Sequence, residues 1–233
     1  MTSLVVLFRK EPHGTFTSPI AYTIATVFLL ILGYTFSLTL FATKIANLNY
    51  IFHQIYVLSL LLVPVLTMRG FAEERRTDTL ELLLTASVRE IWIVLAKFLA
   101  ALSLMILMFV GSIAYAVVLG LYGDPDWGPI YSGYLAVLLN ASLLVALGLL
   151  MSSLTENQVV AAALSLGTFL MLWFADSVGY LLPQPFELFA VNLSLIGHFK
   201  PLANGEVFLS DVGYFITLSL LALFLTTRRL MER

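Results

Sequence analysis

Long apolar stretches separated by short polar ones run through the chain from Pro19 to Thr227. A helix rises 1.5 Å per residue, so about 20 apolar residues cross the hydrocarbon of a bilayer. Six stretches are of that order: 19–42, 52–68, 91–121, 131–151, 158–182 and 208–227. The third is long enough to tilt or to extend beyond the bilayer, and Pro64 in the second, lacking an N–H, predicts a kink. Ahead of the first, Leu4, Val5, Leu7 and Phe8 followed by Arg9, Lys10 and Glu11 suit a short amphipathic helix on the membrane surface, ended by Pro12 and Gly14. The first apolar run is too long for a cleaved signal and lacks a convincing small-residue cleavage site, so it is expected to stay attached. The pattern predicts an all-α polytopic membrane protein: six transmembrane helices with an N-terminal amphipathic interfacial helix.

Between the second and third spans, FAEERRTDTLELLLTASVREI (71–91) is arranged as two helices with a break. Asp78 and Glu81 have the spacing of a capping box; Leu80, Leu83 and Leu84 then share one face, while Asp78, Glu81 and Thr85 share another. Ser87 with Glu90 repeats the box and is expected to start the third span. On spacing alone this is either a loop whose leucines rest in the interface or a short amphipathic helix across the ends of two spans. The second would be a coupling device, because a rigid element pushed by a partner moves both spans. Thr155 and Gln158 form another capping pair between the fourth and fifth spans. On the opposite side, GDPDWG (123–128) is a turn-rich connector with Trp127 as an interfacial anchor. The 183–207 stretch is half apolar and too short to cross twice, so it is expected to pack at the outer surface or dip into it.

Composition agrees: 60% of the 233 residues are apolar and 11% charged, against roughly 25% charged in soluble domains, and mean hydropathy is +0.97. The absence of cysteine excludes disulfides, iron–sulfur clusters and thiolate metal sites. Charge matters through its placement. Arg9, Lys10, Arg69, Arg75, Arg76, Arg89, Lys97, Arg228, Arg229 and Arg233 lie on one side, ten of the twelve basic residues, and only Lys44 and Lys200 on the other. The positive-inside rule therefore puts both termini and the 69–90 segment in the cytoplasm. Asp124, Asp126, Glu187 and Glu206 are then outside.

Covalent chemistry has no visible seat. The only histidines are His13, His53 and His198, none deep in a span, and neither H-E-x-x-H nor G-x-S-x-G occurs. His53 and His198, near the outer surface, are expected to be surface or interface residues. No G-x-x-x-x-G-K-[ST] string is present to hold nucleotide phosphates. A secondary transporter or channel, the alternative without an ATPase, would place ionisable groups at mid-membrane. Lys97 and Asp176 lie instead near opposite ends of their spans, and Lys97 is expected to snorkel to the cytoplasmic face. Asn140 is the one clearly polar residue well inside a span, with an interhelical hydrogen bond as its expected role. Small residues such as Ala161, Ala162, Ala163, Ser165 and Gly167 suit close helix packing.

FAEERRTDTLELLL followed by LAKFLAAL resembles the permease subunits of type-2 ABC exporters, particularly those named for bacterial gliding motility. KEPHGTFTSPIAY before the first span, SSLTENQVVAA between the fourth and fifth, and HFKPLANG with DVGYF before the last agree, in the same order along nearly the whole chain. Asp78 departs from a more usual Gly, and Ala86–Ser87 from a usual Ser-Pro pair. The resemblance implies a single transmembrane domain over 1–233 with a short cytoplasmic coupling helix that docks on a separate ABC ATPase subunit. Glu73, Glu74, Arg75 and Arg76 would lead into that helix, and Thr77, Asp78, Thr79, Leu80, Glu81, Leu82, Leu83, Leu84 and Thr85 would form it. Thr155, Glu156 and Asn157 would make a second, smaller contact. No cofactor would be bound by this chain; ATP and Mg would sit on the partner ATPase. Two permease copies, or one beside a related permease, would assemble with two ATPase subunits in the lipid of a bacterial inner membrane, without nucleic acid. Their movement would export a substrate or act on a periplasmic or membrane-anchored auxiliary protein, for which 183–207 is the natural contact.

Overall fold

The computed structural model describes residues 19–44, 47–76, 89–179, 181, 183–184 and 186–231. The N-terminal amphipathic segment, the predicted coupling helix Thr77–Thr85 and Ser87 lie outside the described residues. Among those described, 88% are helical and none is in a strand. Six helices are long and apolar enough to cross a membrane: α1 (Pro19–Thr43), α2 (Asn49–Thr67), α4 (Glu90–Tyr122), α5 (Trp127–Leu154), α6 (Gln158–Gly179) and α9 (Leu209–Met231). Among the described residues three short ones stand between them: α3 (Ala72–Arg76), α7 (Phe186–Leu193) and α8 (Leu195–Ala203). With no water in hydrocarbon to satisfy a peptide group, the helix is the local solution for each apolar run. Buried hydroxyls follow the same logic, Ser59 donating to Ile55 O, Thr67 to Val63 O, Ser165 to Ala161 O and Thr226 to Ala222 O.

Helix α2 continues through Pro64 to Thr67. Two local expectations change. Helix α4 starts at Glu90 with Arg89 as its N-cap, so Glu90 is the first helical residue rather than the third, and the Ser87 box is not how this span begins. Asn157, not Thr155, caps α6: its Oδ1 accepts from Val159 N at 2.9 Å, while Thr155 Oγ1 accepts from Asn157 N at 3.2 Å. A helix that begins at Gln158 needs its cap one residue earlier.

Helix α5 is the centre of the bundle. It touches α2, α3, α4, α6, α8 and α9, and 61% of its most apolar window is buried, against 17% for α1 and for α6. Helix α2 runs parallel to α5 in a constant register. A Cβ at Gly133 would enter the Phe52 ring, one at Gly148 would strike the Thr67 side chain, and Phe71 N donates to Ser152 Oγ; in each pair the partners are 81 positions apart, as 71 and 152 are. Only glycine admits so close an approach at 133 and 148.

The 183–207 stretch dips between the spans. Phe199 of α8 packs against Tyr56 with ring centroids 4.7 Å apart, seven residues into α2 and so about 10 Å below its first turn. The chain then returns to the level of that turn, where Asn49 Nδ2 donates to Asn204 Oδ1 at 3.0 Å and Gly205 (φ 101°) turns against Pro129. His198 ties this segment to α9: Nδ1 is 2.7 Å from Asp211 Oδ1, Nε2 is 3.1 Å from the Asn192 carbonyl, and the ring stacks on Tyr214 at 4.1 Å. It is an interface residue, whereas His53 is exposed, stacked on Tyr56.

Candidate functional site

The polar side chains singled out in the sequence converge at the end of the bundle where α2 gives way to α3 and α5 to α6. After Thr67 the chain turns through Met68, Arg69 and Gly70, with Gly70 N donating to Thr67 O at 2.9 Å. Gly70 lies so near Leu149 that a Cβ would stand 2.7 Å from its Cδ2. Phe71 and Ala72 then begin α3, both fully buried. Glu73 and Glu74 occupy its first turn and Arg75 and Arg76 its last, the order a helix dipole favours.

Helix α3 is held from two sides. On the α5 side, Ser152 Oγ accepts from Phe71 N at 3.0 Å and from Ala72 N at 3.1 Å and donates to Met68 O at 3.2 Å. On the α4 side, Lys97 Nζ lies 2.6 Å from Glu74 Oε1 and 5.4 Å from the Phe71 ring centroid. Lys97 is thus 7% exposed, and in place of the expected reach to water it ends on a carboxylate. Arg75 is buried beside this pair's helix, while Glu73 is half-buried and Arg76 exposed. Three residues beyond Ser152, Thr155 is half-buried and Glu156 and Asn157 are exposed, forming the turn into α6. The two stretches assigned by resemblance to ATPase contact, 73–76 and 155–157, are therefore at one end of the bundle, and Ser152, three residues before the second, bonds the backbone of Met68, Phe71 and Ala72 just before the first.

Ser152 and Phe71 are the residues that sequence reasoning missed. Ser152 stands in the quoted string SSLTEN, of which only Thr155, Glu156 and Asn157 received a role. The signal available was a serine pair at the end of an apolar run, and serine is equally at home bonded to its own helix, as Ser153 is to Leu150 O. Asn140 also differs from expectation. It is 1% exposed, and among the described residues neither its amide nitrogen nor its oxygen has a hydrogen-bond partner. The α2/α5 register puts it level with Ser59, whose hydroxyl proton is committed to Ile55 O. Among the described residues no group of three or more His, Cys, Asp or Glu is placed to hold a metal ion.

Six apolar helices, one of them central to the bundle, with charged and hydroxyl side chains gathered at one end, define a multi-pass helical membrane protein. The model of the ABC-2 family transporter proteins matches residues 21–221, from the start of α1 into the first half of α9, and the chain belongs to that family. It is therefore a membrane transport component. No curated protein is similar enough in sequence to match it.

Proposed function

We propose that this chain is the permease subunit of an ATP-driven exporter, working with separate ABC ATPase subunits and with a second permease, identical or related. The observation that carries the reading is the double anchorage of α3. The 77–85 segment leaves from its end, and α3 is bonded to α5 by Ser152 and to α4 by Lys97. A partner pressing on 77–85 would therefore act on spans rather than on a slack loop. Members of the family typically work with ATPase subunits and form dimers. The distribution of basic residues supports a cytoplasmic position for this end and for both termini, and the resemblance to gliding-motility permeases supports a bacterial inner membrane. ATP and Mg belong to the partner. Helix α7 exposes Phe186, Leu188 and Phe189, which with Asn192 line a shallow apolar recess. This is a surface suited to an auxiliary protein if the complex acts on one rather than on a solute.

The deciding experiment is Leu83→Arg. A charge on the Leu80, Leu83, Leu84 face is forced into an apolar contact at a cost of at least about 2 kcal/mol, more than tenfold in a docking equilibrium. The variant is expected to insert normally and to lose ATPase co-purification, or to keep an ATPase whose turnover no longer drives export or the auxiliary protein. Wild-type assembly, turnover and coupled function together would reject the reading.

A further inference from the structure

The two cytoplasmic stretches of the proposed ATPase contact are separated by nearly 80 residues of chain, yet one hydroxyl lies between them. We propose that Ser152 is a positioning residue that makes α3 and the 155–157 turn a single moving body, so that a push on either reaches α2 and α5 together. This deepens the coupling reading and rests on it.

Four observations support the joint. Ser152, Phe71 and Ala72 are all fully buried, so water is not at hand to replace the hydroxyl that two backbone N–H groups share. The same hydroxyl donates to Met68 O, which fixes the approach to α3 as well as its start. Helix α3 has five residues, too few to hold its own orientation without tertiary contacts. Toward the membrane, α2 and the turn after it approach α5 closely, at Gly148 against Thr67 and at Gly70 against Leu149. Ser153, the adjacent serine and equally buried, bonds only within α5 to Leu150 O, and so provides a matched comparison.

The chain has no cysteine, so paired spin labels can be placed freely on the full protein in phosphatidylethanolamine–phosphatidylglycerol nanodiscs. Arg76→Cys with Glu156→Cys, both exposed sites, reports the joint; Asp124→Cys with Glu206→Cys, exposed at the opposite end, reports the rest of the fold. In the otherwise unaltered chain the first pair is expected to give one narrow distance distribution. Ser152→Ala should broaden it and add a second population while the opposite-end pair stays unchanged, and Ser153→Ala should leave both pairs narrow. A narrow 76–156 distribution in Ser152→Ala, or equal broadening in Ser153→Ala, overturns the proposal. Because no ATPase is present, this outcome is independent of the coupling reading, whose own failure would appear as undiminished ATPase capture by Leu83→Arg.

Discussion

Burying Lys97 in α4 takes an ammonium out of water, and the Glu74 carboxylate 2.6 Å away offsets that loss. Glu74 is 19% exposed, so the pair is partly screened. Glu74→Gln is expected to lower stability in detergent by about 2 kcal/mol, since a charge-assisted hydrogen bond is replaced by a weaker one. Adding Lys97→Met should recover part of it, because the buried cation goes with its partner. Thermal unfolding of the single and double variants measures both; a double variant less stable than Glu74→Gln would contradict the argument. Asn140 poses the opposite case, a buried amide without a partner among the described residues. Asn140→Leu, of the same branched shape, should be neutral or stabilising by about 1 kcal/mol, as no hydrogen bond is lost and a desolvation cost is removed. A clear loss of melting temperature would mean that the amide has a partner. That Asn140 is polar and deep was legible in the sequence; that Ser59 beside it is already satisfied by its own helix was not, because two helices must be set in register to show it.

At the scale of elements, α2 and α5 form a parallel seam that narrows at Gly133 and Gly148. Gly133→Ala would drive a methyl into the Phe52 ring, and overpacking of this kind costs about 1 to 3 kcal/mol. The expected result is a lower melting temperature in Gly133→Ala, with Gly167→Ala, where a Cβ meets nothing within 4 Å, serving as control. Equal effects from the two would show that the seam is looser than described. The glycines could be read from the sequence as small residues suited to helix contact, but so could the alanines at 161–163. Which of them meets a neighbour depends on rotation about each helix axis, and that is set by all the packed faces together. The short helices illustrate the same limit: α3, α7 and α8 have too few residues to declare themselves by period.

For the whole molecule the strongest expectation is orientation. Reporter tags at both termini and at Ser87 should be cytoplasmic, and tags at Asp126 and Asn204 external, because ten basic residues lie on one side and two on the other. Ser87 digested by protease in sealed right-side-out vesicles would reverse the assignment. The six long helices could be counted from hydropathy because each crossing must supply its own apolar length and satisfy its own backbone. Those constraints act along the chain, one segment at a time.

What the sequence determined by itself was the class of molecule, the number of spans, the asymmetry of charge and, through whole strings such as FAEERRTDTLELLL, the resemblance that the family match then bore out at the level of the ABC-2 transporters. Tertiary structure alone decided that α5 is central, that Asn140 lacks a partner among the described residues, that Lys97 ends on Glu74, and that Ser152 holds the start of α3. The physical reason is common to all four. Apolar length and charge are sums over consecutive residues, whereas a contact such as Phe71 N to Ser152 Oγ, 81 residues apart, exists only after the helices have packed and their rotations have been settled against one another.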